Sequence, residues 1–295
     1  MDCFVASLAA APRNDKLTRH RDAPGLDVRC DRRLDAAMRP ARQILPLLFA
    51  VALLPGCRAA PDGEVYDGFD GRKLSDVWDL DRCVPGSVEL QSAVVRAGRG
   101  AAKITVRQGD KYEGVDPLQS KPTERDELLE RNDLVTREGD GFAYSFSIFL
   151  PKDFLVVPTR LVLAQWKQFD RKHTALVDNP VVAVRYQGGE LSVTLQTSRQ
   201  KQTLFRTTEE IRGRWLDFIF HLKFTRAPEG LVRVWLNGCP VCDFHGVTAY
   251  TEEFGYPQNG RFYFKMGLYR DRMPEPMTAY FDEYRKRPLT AAEEK

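Results

Sequence analysis

From Asp62 onward the apolar residues of this chain recur at every second position far more than at every third or fourth. A period of two puts alternate side chains on opposite faces of an extended strand, so the body of the chain is written for sheet rather than helix. Segments 94–95, 102–106, 124–128, 142–149, 161–167, 181–186, 191–196, 215–224, 231–236 and 262–270 read as strands. Turn chemistry separates them: Gly188-Gly189, Pro228-Glu229-Gly230, Asn237-Gly238 and Asn259-Gly260. Helix is predicted only as a single turn at 207–211. Many strands, short turns, no strand–helix alternation and no internal repeat predict one all-β domain over 67–290. Its expected form is a jelly-roll sandwich of concanavalin type, two antiparallel sheets with a concave groove on one of them. Such sandwiches host lectins, hydrolases, lyases and adhesion modules, so the fold alone assigns no chemistry.

The N-terminal stretch has a different character. Arg39 and Arg42 precede an apolar run from Ile44 to Leu54 that ends in Leu54-Pro55-Gly56-Cys57. A positive region, a short apolar region and a small residue before the cut describe a secretory signal, and the run is too short to span a bilayer as a helix. The ending resembles a bacterial lipobox, which predicts lipidation of Cys57, a short linker over 58–66 and a periplasmic or outer-membrane location. A signal over 38–57 makes Met38 the expected start of translation and leaves 1–37, which lacks any apolar period, outside the fold. Residues 1–57 hold nine Lys/Arg and six Asp/Glu, which leaves 35 of each sign in the remainder of a chain with 44 basic and 41 acidic residues. The basic pI therefore belongs to the leader, and it gives the body no nucleic-acid footprint. Membrane contact is expected only through the lipid, and the protein is expected to be a monomer.

Cys83, Cys239 and Cys242 remain in the body. Cys239-Pro-Val-Cys242 has the spacing of a redox or half-zinc motif, but no second Cys or His pair completes a zinc site, and it follows a hairpin signal instead of opening a helix. One structural disulfide among these three is the expectation in an oxidising compartment.

Alternation also assigns faces. In 262–270, Phe262, Phe264, Met266 and Leu268 share one face, which must be core; Tyr263, Lys265, Gly267 and Tyr269 share the other. Tyrosines beside a lysine suit sugar stacking and proton handling better than an ordinary solvated face. In 161–168, Gln165 and Lys167 take one face together with Leu161 and Leu163, while Ala164 and Trp166 take the other. In 124–128, Arg125 and Glu127 share a face. Each of the last two patterns, alone, is an ordinary solvated one.

Together the segments Arg125-Asp126-Glu127-Leu128, Gln165-Trp166-Lys167 and Tyr263-Phe264-Lys265-Met266-Gly267-Leu268-Tyr269 resemble the alginate-lyase and heparin-lyase-I-like superfamily of β-jelly-roll polysaccharide lyases. There the motifs run Arg-x-Glu-Leu, Gln-x-His and Tyr-Phe-Lys-Ala-Gly-x-Tyr in the same order. The likeness extends from Asp67 to Pro288, includes Trp215-Leu-Asp-Phe, Val234-Trp-Leu-Asn-Gly and Tyr280-Phe-Asp, and is strongest toward the heparin-lyase-I-like branch with its glucuronan lyases. It implies β-elimination on an acidic, uronic-acid-containing polysaccharide, with no cofactor required; calcium is possible in such folds, but no loop here carries its ligand pattern. Lys167 stands where the family usually has a histidine, which leaves the base open between Lys167, Tyr269 and a histidine such as His173.

Such a reaction sets three tasks: neutralise the C6 carboxylate, remove the C5 proton and protonate the leaving O4. Arg125 and Gln165 suit the first because both donate to carboxylate oxygens. Tyr269 suits the proton work by resemblance, in a positive field from Lys265. Lys167 fits a point charge on the carboxylate better than a base. Tyr263, Glu127, Arg185, Arg270 and His173 complete the expected substrate contacts, while His221, on a strand face with Trp215, reads as structural. Two rivals remain. A retaining hydrolase needs paired carboxylates, with Glu124, Asp126 and Glu130 nearest to that pattern but Leu129 in its last acidic place. A binding module would keep the fold without the chemistry.

Overall fold

The protein is described by a computed structural model over residues 63–110, 122–170 and 175–295. In chain order the strands are Val65–Asp67 (β1), Trp78–Asp79 (β2), Val88–Gln91 (β3), Ala101–Val106 (β4), Thr123–Glu130 (β5), Thr136–Arg137 (β6), Gly141–Phe149 (β7) and Leu161–Gln168 (β8). They continue with Val182–Gln187 (β9), Glu190–Gln196 (β10), Lys201–Thr207 (β11), Trp215–Lys223 (β12), Gly230–Leu236 (β13), Cys239–Gly246 (β14), Arg261–Asp271 (β15) and Met277–Pro288 (β16). All pairings are antiparallel. One sheet runs β14-β13-β12-β7-β16-β4-β3 with β1 beside β16, and the other runs β11-β10-β9-β8-β15-β5-β2 with β6 beside β15. This is the jelly-roll sandwich that the alternation predicts. Among the described residues helix is limited to two single turns, Asn132–Leu134 and Glu252–Phe254. No described helix is long and apolar enough to cross a membrane.

The inner faces lock through aromatic rings. Phe264 of β15 lies 4.8 Å from Trp166 of β8 within its own sheet, and meets Phe146 of β7 at 5.4 Å and Tyr284 of β16 at 5.5 Å across the sandwich. All four are buried. Such contacts add to the area-driven burial of large rings and fix how the sheets sit on one another. The hairpin between β13 and β14 turns at Asn237-Gly238, where φ is 51° and 78°; the positive pair is what a two-residue hairpin of matching twist needs.

Several local expectations change. Positions 94–95 form a loop rather than a strand, and 207–211 leaves β11 without a helical turn. In β8 the register slips between Val162 and Ala164, so Leu161 and Leu163 join the core and Val162 turns outward. Strict alternation placed those two leucines beside Gln165; the bulge reverses the phase. The disulfide expected among Cys83, Cys239 and Cys242 does not form, because Cys83 and Cys242 are free thiols. Three steps along an extended strand carry Cys239 and Cys242 roughly 10 Å apart, beyond the span of a disulfide. Cys83 Sγ instead donates to the Glu127 carbonyl at 3.3 Å, and Cys242 Sγ to that of Val232 at 3.4 Å.

Candidate active site

The outer face of the β11-to-β2 sheet gathers the polar residues of three separated segments. β15 is central to it, with β5 on one side and β8 on the other. Tyr269 stands directly opposite Arg125 on β5, and Gly267 opposite Glu127. On the other side Lys265 pairs with Gln165, and Tyr263 with Lys167. Directly opposed residues share a face, so Arg125, Glu127, Gln165, Lys167, Tyr263, Lys265 and Tyr269 line one surface. This occurs even though β15 carries a bulge between Met266 and Tyr269.

Gly267 makes that bulge possible. Its φ is +147°, and a Cβ there would lie 2.3 Å from the Asp126 carbonyl oxygen and 2.7 Å from the Glu127 Cα. Only a residue without a side chain lets β15 approach β5 so closely.

Glu127 is the hub of the floor. It is 1% exposed; the Gln165 amide donates to its Oε1, Lys265 Nζ donates to its Oε2 at 2.8 Å, and Arg125 Nη1 lies 3.8 Å from Oε2. Burial opposes its ionisation, but Lys265, Arg125 and the Gln165 amide outweigh that and hold its carboxyl below the ordinary range. Lys265 is pushed down to about 7, first by burial and then by repulsion from Arg125 and Lys167, with Glu127 resisting. Charge and hydrogen bonds thus fix three side chains to one carboxylate.

Tyr269 is held differently. Its ring packs with Val162 and Ala183, while the guanidinium carbons of Arg125 and Arg160 lie 4.2 Å and 5.0 Å from its centroid. Arg160 is itself oriented by Asp271 at 2.7 Å. Lys167 pairs with Asp178 at 2.5 Å. Burial would neutralise that lysine, yet Tyr263 and Asp178 hold it above its ordinary value and keep it positively charged. Tyr263 rests edge-on against Phe169 at 6.0 Å.

The family model for polysaccharide lyases matches residues 63–285, three quarters of the chain. This chain belongs to the polysaccharide lyase family. Among solved structures the lyase is similar to an endo-β-1,4-glucuronan lyase from the fungus Trichoderma reesei, with a TM-score of 0.58 and 19% identity over 74% of this chain and 93% of that one. It is also similar to the family 7 alginate lyase AlgAT5, with a TM-score of 0.49 and 15% identity over 70% and 85%. No curated protein sequence matches it significantly.

Two groups in the lyase do not stand where the sequence put them. Arg270, expected at the substrate, alternates to the inner face and is fully buried. It is paired there with Glu124 at 2.9 Å and donates to the carbonyls of Glu275 and Met273. The carboxylates of the hydrolase rival face inward too: Glu124, Asp126 and Glu130 are 1%, 0% and 1% exposed. Their strand positions alternate with those of Arg125 and Glu127, so they point away from the face that carries Tyr269. His173 and Cys57 lie outside the described residues. Among the described residues no cluster of three or more His, Cys, Asp or Glu is arranged to hold a metal.

Arg160 and Asp178 belong to the site and escaped sequence reading. Both lie off the strands that carry the motifs, and nothing in their local pattern marks them. Only the fold brings them to Tyr269 and Lys167.

Proposed function

We propose that this lyase cleaves a uronic-acid-containing polysaccharide by β-elimination and leaves an unsaturated uronyl end. The observation that carries the reading is the setting of Tyr269, a hydroxyl-bearing side chain flanked by Arg125 and Arg160 on the face that also presents Gln165, Lys167 and Lys265. Cationic and amide donors converging beside one proton-transfer group suit a reaction in which charge accumulates on a carboxylate.

In this reading Arg125, Gln165 and Lys265 donate to the C6 carboxylate as the C5–H bond breaks. Tyr269 Oη reacts as the phenolate: it accepts the C5 proton to become the phenol, the C4=C5 double bond forms, the C4–O4 bond breaks, and the phenol gives that proton to O4, which restores the phenolate. Atoms and charge balance without water, and the neutralising step requires no cofactor. Lys167, pinned by Asp178, supplies fixed charge in the family's histidine place. Glu127 positions Gln165 and Lys265 rather than meeting the sugar. His173 remains a candidate substrate contact by its nearness in sequence to Lys167.

The three motifs favour the heparin-lyase-I-like branch that includes glucuronan lyases. The Leu54-Pro55-Gly56-Cys57 ending supports an exported bacterial protein anchored through lipid on Cys57; Cys57→Ala should release it from the membrane fraction.

The deciding experiment incubates the purified protein with a panel of uronate polymers and follows ultraviolet absorbance of the unsaturated ends. Absence of such product from every polymer would sink the reading. Binding without product would leave a carbohydrate-binding module.

A further inference from the structure

Beyond Tyr269 the same face continues across β8, β9, β10 and β11. Tyr269 pairs with Val162, Val162 with Arg185, Arg185 with Ser192, and Ser192 with Arg206, so one cross-strand row runs from the proton-transfer residue to the sheet edge. A second row places Lys201 opposite Gln196 on that face.

Arg185 is the unusual member. It is half-buried, its Nε donates to Thr194 Oγ1 at 3.1 Å, and among the described residues no carboxylate lies within ion-pair distance of it. Its charged neighbours are cations: burial first, then Arg160, push its guanidinium down to about 10. Lys201 is depressed by its own partial burial and then by Arg185. Arg206 is exposed, with no ion pair among the described residues. By contrast, Arg125 and Lys265 share Glu127, Lys167 has Asp178 and Arg160 has Asp271. A crowd of like charges without counter-charge is unfavourable in the free protein and becomes favourable when an anion arrives. Here it sits in a body whose total charge, from residue 58 on, is balanced.

We infer that Arg185, with Lys201 and Arg206 beside it, forms a second anion-recognition subsite that holds a charged group on a sugar unit other than the one being cleaved. Arg185 stands two strands from Tyr269, roughly 10 Å at ordinary strand spacing, farther than one pyranose ring reaches. The fork of its guanidinium, already oriented by Thr194, matches a carboxylate or a sulfate. The subsite therefore favours a polymer charged at more than one position along the bound stretch. This inference rests on the lyase reading for its kinetics, but not for its binding measurement.

The test compares wild type with Arg185→Gln, Arg185→Lys and the exposed double variant K201Q/R206Q. The substrates are a homopolymer of 1,4-linked glucuronate, the same polymer with part of its carboxylates reduced to alcohols, and a sulfated uronate polymer. On the intact homopolymer R185Q should raise KM about ten- to a hundredfold, the loss of one charge-assisted contact. R185K should recover part of that loss, and K201Q/R206Q should show a smaller rise. On the carboxyl-reduced polymer R185Q and wild type should converge. An equal loss on both polymers, or none on either, overturns the subsite, since a merely structural role would not distinguish them. The sulfated polymer tells carboxylate from sulfate recognition: a larger R185Q effect there assigns the subsite to sulfate. Should wild type give no unsaturated product at all, polymer retention in affinity electrophoresis decides instead. Weaker retention of R185Q then upholds the subsite without the chemistry, and equal retention overturns it.

Discussion

The guanidinium of Arg125 lies 4.2 Å from the centre of the Tyr269 ring, and the two residues are direct cross-strand partners between β5 and β15. The ring of Tyr269 is therefore held by stacking and by apolar packing against Val162 and Ala183. Tyr269→Phe should keep the fold and the polymer affinity and lower kcat by about 10²- to 10⁴-fold, the usual span for losing a general acid–base group. Turnover and polymer retention measured on the same preparation check this. A parallel loss of both would return Tyr269 to a purely structural part.

Glu127 should matter to stability as much as to turnover. Glu127→Gln leaves the Lys265 ammonium buried without its counter-charge, a change that costs about 3–5 kcal/mol when one partner of a buried pair is removed. Adding Lys265→Met to Glu127→Gln should restore much of that stability but not activity. Urea unfolding of the single and double variants gives the coupling; purely additive losses would show that the pair is not one unit.

The pH dependence follows from Lys265, pushed down to about 7. Its ammonium is present below that value and lost above it, so carboxylate neutralisation weakens as pH rises. The kcat/KM profile, which reports the free enzyme, should fall on the alkaline side from near pH 7. Lys265→Arg should move that limb upward, because a guanidinium does not deprotonate in this range. An unmoved limb would assign it to another group.

Gly267→Ala should be among the most damaging small changes. The added methyl would meet the backbone of Asp126 and Glu127 at a φ of +147°, where strain and overpacking together are worth about 3 kcal/mol. The β5–β15 pairing carries Arg125 and Glu127, so activity should fall with the melting temperature. A variant with unchanged melting temperature would contradict the close approach.

Lys167, which stands where the family usually has a histidine, is paired with Asp178. Asp178→Asn should free the Lys167 ammonium, and Lys167→Met should raise KM more than it lowers kcat, as expected for a fixed charge that binds the carboxylate rather than moves a proton. Steady-state kinetics on one polymer separate the two effects; a collapse of kcat alone would make Lys167 the base.

Period-two alternation is a local property of the chain, so the all-β sandwich, the core face of Phe262, Phe264, Met266 and Leu268, and the polar faces of Arg125, Gln165 and Lys265 were legible in the primary structure. It did not determine what depends on hydrogen bonds between distant strands. The bulges beside Val162 and Gly267 reverse or preserve the phase of a face according to the register of the neighbouring strand, which no single segment encodes. Arg270 illustrates the difference: its charge read as a substrate contact, while pairing across β5 gave it Glu124 in the interior. Likewise β16, whose Arg285, Lys286 and Arg287 hide its alternation, became a strand only between β4 and β7, where Lys286 turns inward to Glu130. Tertiary structure alone placed Arg160 over Tyr269 and Asp178 beside Lys167, because loop positions carry no periodic signal and acquire partners only when the sheet that holds them has closed.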